Sequence, residues 1–198
     1  MKKTVFFICC LLSLSAFAED KVASYSMSYF GSESYDIEAS EPKADGSFKF
    51  YFYVAGETQS DRVCLGLKSK DVVAFKNALE IVKTKFAEWK TTAIENKVTD
   101  INKDFPCSFP KMDVAWHSSQ WWFAFGRVFT PTFFVFKNGQ CAVVTSAKVT
   151  SSENQYIDKT FYMVFEDNAE IDTLIKGLDC DAVIKHYNQK QNASNLFN

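Results

Sequence analysis

A chain of 198 residues carries 22 basic against 24 acidic side chains, and 47% of its residues are hydrophobic, enough to bury the core of one ample domain. A slightly acidic balance argues against a general nucleic-acid binder, which needs a basic excess. Seven glycines, with no phosphate-cradling loop and no dinucleotide fingerprint, argue against a nucleotide-binding enzyme.

The chain opens on Met1-Lys2-Lys3, runs almost wholly apolar over 4–17, and presents Ala16-Phe17-Ala18 just before Glu19-Asp20. This is the pattern of a secretory signal peptide of bacterial type over 1–18, cleaved near Ala18 to export the rest to the periplasm or beyond. The apolar run is too short to span a bilayer as a stable helix. Cys9 and Cys10 sit in mid-run after large residues, unlike a lipid-attachment cysteine. No later stretch is long and apolar enough for a transmembrane helix. Of the 22 basic and 24 acidic residues only Lys2 and Lys3 leave with the signal, so 20 face 24 and the net charge moves from -2 to -4.

The elements of the mature chain follow from its apolar spacing. Over 48–54, Phe48, Phe50, Phe52 and Val54 fall on one face and Lys49, Tyr51 and Tyr53 on the other, which predicts a strand. A second strand covers 62–67, with Val63, Leu65 and Leu67 inward. Val72, Phe75, Leu79, Val82, Phe86, Trp89 and Ala93 then keep a three-four spacing for about six turns, the mark of an amphipathic helix. Ser69 is its expected N-cap and Asn96 its stop. Further strands are predicted over 111–117, 120–128, 132–137, 141–149 and 156–165, with Asn138-Gly139 as a hairpin turn. A helix begins near Asn168, its expected cap, Asp179 or Asp181 caps a last short helix bearing Val183, Ile184 and Tyr187, and 188–198 reads as a frayed tail. Short turns between strands imply antiparallel pairing. The expected fold is α+β: a curved antiparallel sheet packed against one long amphipathic helix and C-terminal helices, in a single domain over 19–198.

Cys64, Cys107, Cys141 and Cys180 remain after cleavage, and an exported chain can join four cysteines in three ways or leave them as thiols. No close CxxC pair supports zinc or thioredoxin-like chemistry. His117 and His186 lie in different elements and form no metal-spaced pair. There is no GxSxG nucleophile elbow, and the carboxylates are scattered. No cofactor is expected. Asn192-Ala193-Ser194 matches a glycosylation acceptor, which a bacterial export signal makes a chance match.

The two strand-to-helix joints look alike. Val72, Phe75, Ala78 and Leu79 have counterparts 99 residues later in Ile171, Leu174, Gly177 and Leu178. This suggests pseudo-repeat halves over 19–100 and 105–187. With Asp61-Arg62-Val63-Cys64-Leu65-Gly66-Leu67 leading through Ser69-Lys70-Asp71 into the helix, the arrangement resembles the ββββα repeat of the Whirly and PUR-like folds. That resemblance implies a curved antiparallel sheet with a helix over each meander, and single-stranded nucleic acid as ligand. The acidic, exported chain departs from such binders.

Aromatic density is the remaining signal: 20 Phe, 8 Tyr and 4 Trp. The alternation over 120–128 puts Trp121, Phe123 and Phe125 on the core side, which turns Trp122 outward. Tyr51 and Tyr53 point away from the Phe48/Phe50/Phe52 face, beside Lys49. Such rings either form ordinary core, if both sheet faces are covered, or stack on sugars, bases or a protein partner. The expectation is an exported, non-catalytic binding domain that contacts a glycan or a protein through Trp122, Tyr51, Tyr53 and Lys49. A single-stranded nucleic-acid binder and a carboxylate-dependent hydrolase are the alternatives.

Overall fold

A computed structural model describes residues 19–196, apart from Ser32 and Gln59. The predicted signal over 1–18 and the last two residues of the predicted tail lie outside the described residues. Among these residues, ten strands form two antiparallel sheets, joined by one long helix and followed by two shorter ones, so the α+β expectation holds. Strands β1 (Asp20–Met27), β2 (Glu33–Ala39), β3 (Lys49–Val54) and β4 (Arg62–Lys68) form a meander. Next come α1 (Val72–Glu95) and β5 (Ile101–Asp104), then β6 (Met112–His117) and β7 (Trp121–Arg127). Strands β8 (Thr132–Val135), β9 (Cys141–Thr150) and β10 (Asp158–Phe165) precede α2 (Asn168–Gly177) and α3 (Cys180–Asn195).

The first sheet runs β1-β2-β3-β4-β6-β7 and the second β10-β9-β8-β5. The joints β4-to-α1 and β10-to-α2 thus leave different sheets, and β6 and β7 extend the first meander. Helix α1 bridges the two. Phe75, near its start, packs on Phe52 of β3 with ring centroids 5.6 Å apart. Phe86 and Trp89, near its end, pack on Phe133 of β8 at 6.0 and 5.7 Å. A lone bridge between Ala55 and Tyr162 stitches the end of β3 to β10. Helix α2 lies against β1 at Gly177, where a Cβ would stand 2.3 Å from Ile37 Cδ1 and 3.3 Å from Ala23 Cβ. None of the described helices is long and apolar enough to cross a membrane.

Several boundaries depart from the sequence reading. Strands β1, β2 and β5 were not predicted. In β1 and β2 the alternation of Tyr25 and Met27, and of Tyr35, Ile37 and Ala39, with polar residues is a strand signal that the sequence reading passed over, whereas every residue of β5 is exposed and only its pairing with β8 fixes it. Ser69 does not cap α1: residues Ser69–Asp71 form a 3-10 turn, and the Ser69 hydroxyl accepts from Phe48 N at 3.3 Å. The α2 cap is Asp167, whose carboxylate accepts from Glu170 N at 3.0 Å. Asp179 caps α3, and this helix continues through most of the expected frayed tail. Its anchor is Tyr187, whose hydroxyl donates to Ala39 O at 2.7 Å. Among the described residues, Cys64, Cys107, Cys141 and Cys180 are free thiols, Cys64 and Cys141 buried.

Candidate binding face

Alternation in β3 divides its side chains between two environments. Phe50, Phe52 and Val54 point toward α1, and Lys49, Tyr51 and Tyr53 point to the other side, as read from sequence. On that outer side Tyr53, Tyr51 and Lys49 stand opposite Cys64, Gly66 and Lys68 of β4. Cys64 and Gly66 stand opposite Ala115 and Asp113 of β6, and Ala115 and His117 opposite Phe123 and Trp121 of β7.

The expected orientation of β7 is therefore reversed. Trp122 stands opposite the buried Trp116 and packs on the core, its indole N–H donating to Ser118 Oγ at 3.2 Å. Trp121, Phe123 and Phe125 come out on the open side, with Phe125 52% exposed. The cause is register. Residues 118–120 make a three-residue hairpin loop that pairs His117 with Trp121. Once Met112, Val114 and Trp116 point inward, Trp121 must point outward. That loop was the signal that locates Trp121, Phe123 and Phe125; apolar alternation alone sends them to the core.

These strands frame a hollow of about 220 Å3. Gly66 and Ala115 floor it, because they are the smallest residues on the face. Tyr51 forms one wall; Phe123 and Phe125 form the other, their rings 5.8 Å apart and within 4° of parallel. The rim is polar. Lys49 Nζ meets Asp113 Oδ2 at 2.7 Å, while Asp113 Oδ1 accepts from Gly126 N at 3.0 Å. Glu153 closes the far side. It is carried by a loop that fastens to β7: Ser152 N donates to Phe123 O at 2.7 Å, and Phe125 N donates to Ser152 Oγ at 3.1 Å.

At the β1–β2 end the face is closed and acidic. Tyr53 donates to Glu38 Oε2 and accepts from Arg62 Nη2, both at 3.1 Å. Its ring and Ala115 flank the buried Cys64. Burial, and then the charges of Glu19 and Glu38, push that thiol far above its ordinary range, so it is inert as a nucleophile. Burial also raises the Tyr51 and Tyr53 hydroxyls. Glu19 is pushed up to about 7 by burial, by the charge of Glu38 and by a hydrogen bond with it, against the pull of Lys49. The sequence-predicted residues thus separate. Lys49 and Tyr51 line the hollow, Tyr53 is tied down beside it, and Trp122 lies on the opposite side of the sheet.

The histidines join no nucleophile. His117 is exposed and edge-on to Trp121, with centroids 5.4 Å apart, and His186 Nε2 is bonded to Asp20 Oδ2 at 2.8 Å. No family model, no curated protein and no solved structure matches this chain.

Proposed function

We propose that the chain is an exported, non-catalytic binding domain that holds a saccharide on the open face of its six-stranded sheet. The observation that carries this reading is the hollow between Tyr51 and the parallel Phe123/Phe125 pair. Flat apolar walls suit the C–H faces of a sugar ring, and the Lys49–Asp113 pair and Glu153 on the rim suit its hydroxyls. Of the two carboxylates that line the hollow, Asp113 is taken up by Lys49 and Gly126 N, which disfavours a paired acid–base role in hydrolysis.

The test is isothermal titration with soluble glycans, comparing the wild type with Phe125→Ala and Gly66→Val. A Cβ at Gly66 would meet Tyr51 and Asp113 at 3.4 Å or more, in ordinary contact, and the further carbons of valine would enter the hollow. Phe125→Ala should weaken binding about tenfold, roughly 1.4 kcal/mol. Gly66→Val should abolish it, with a thermal melt of each variant to show that the fold is kept. Unchanged affinity in both variants rejects the site. Export has its own check: N-terminal sequencing of the protein recovered outside the cytoplasm should begin at Glu19.

A further inference from the structure

Beside the aromatic hollow lies a larger one of about 530 Å3, where the loop between β2 and β3 meets the end of β4. Lys49 and Tyr51 line both, so the two adjoin. The second is basic: Lys43 comes from the loop, Lys68 from β4 and Lys70 from the 3-10 turn. Lys49 and Lys68 stand directly opposite in the β3–β4 register, an arrangement that like charge destabilises. Asp113 answers Lys49. Among the described residues, Lys43, Lys68 and Lys70 have no ion-pair partner. Asp45, the carboxylate beside Lys43, is engaged by Ser47. Ser40 and Ser69 add hydroxyls to the wall. Ser40 Oγ accepts from Lys49 N, and Ser69 Oγ accepts from Phe48 N, so each keeps its own O–H to donate.

We infer that the saccharide held on this face is anionic, its carboxylate, sulfate or phosphate seated among Lys43, Lys68 and Lys70. This rests on the reading of the aromatic hollow given above. The cations gather where the β2–β3 loop meets the end of β4, and Glu38, opposite Tyr51, together with Glu19, which feels the charge of Lys49, bounds them on the β1–β2 side. A nucleic-acid strand needs positive charge along its whole track; one charged group next to a stacked sugar ring needs it only here.

The experiment is fluorescence and calorimetric titration of the protein with chondroitin sulfate, polygalacturonate, neutral dextran and oligo-dT, each at low and moderate salt. The proteins are the wild type, the double variant Lys68→Gln/Lys70→Gln and Gly66→Val. Both lysines are exposed and unpaired, so the double variant should keep the wild-type melting temperature. The wild type should bind an acidic glycan and not dextran. Chondroitin sulfate carries both carboxylate and sulfate and polygalacturonate carboxylate alone, so equal binding of the two assigns the site to carboxylate and binding of the first alone assigns a role to sulfate. Binding should fall at least tenfold in each variant. Equal binding of dextran, or full affinity in the lysine variant, overturns the anionic inference and leaves the saccharide reading standing. Loss in the lysine variant with Gly66→Val unaffected reduces the site to a patch of charge and overturns both. Binding of oligo-dT alone, or of nothing, also overturns both.

Discussion

The two sides of the six-stranded sheet are made from the same strands and differ in what fixes their side chains. On the inner side Phe50, Phe52, Leu65 and Val114 are fully buried, and shape alone holds them. On the outer side a chain of specific contacts does so: Glu38 to Tyr53 to Arg62, and Lys49 to Asp113 to Gly126. The inner side needs any apolar set of the right volume; the outer side needs particular polar groups at particular positions. A face that only kept strands soluble would not require such ties, nor leave Phe125 and Trp121 uncovered.

Substitutions on opposite sides of one strand sharpen this contrast. Phe52→Ala should cost about 3–5 kcal/mol, read as the loss of urea midpoint, because the ring sits between β3 and α1 with no room for the cavity to collapse. Trp122→Ala should cost about 2 kcal/mol, less because the ring is only partly buried. Its neighbour Trp121→Ala should stay within about 0.5 kcal/mol of wild type. Equal stability losses at 121 and 122 would mean that β7 does not separate two environments. Tyr53→Phe removes one hydroxyl from the Glu38–Arg62 bridge and should cost about 1 kcal/mol in a thermal melt.

The smallest effect is a dependence on pH. Glu19 has its folded pKa raised, so its contribution is fully present below about 4.5 and is lost as pH rises through about 7. The melting temperature of the uncleaved chain should therefore decline across that window in the wild type and decline less in Glu19→Gln. Asp20 and Asp61 are shifted downward, Asp20 by hydrogen bonds from Lys190 and His186 and Asp61 by its bond to Lys159, so they act below pH 4 and leave the window clear.

Where the sequence was legible, one side of an element was clearly apolar. In β3, aromatic and polar positions alternate without ambiguity, so Lys49, Tyr51 and Tyr53 could be assigned to the outer side. The Asn138-Gly139 turn was readable because Gly139 takes a φ of 82°, which few other residues accept. In β7, Trp121, Trp122, Phe123 and Phe125 make both sides apolar, and only pairing with β6 decides between them. The basic hollow left no local trace. Lys43, Lys49, Lys68 and Lys70 span two strands and two connections, and become neighbours only when β3 pairs with β4.

Helix α1 buries its first turns under one sheet and its last turns under the other, while β6 and β7 finish a sheet begun before it. Neither half of the chain closes a core by itself. Loosening either sheet strips the helix from both, so heating should melt the protein in one calorimetric transition. Fragments expressed separately on either side of 105–111 should therefore not fold apart from each other.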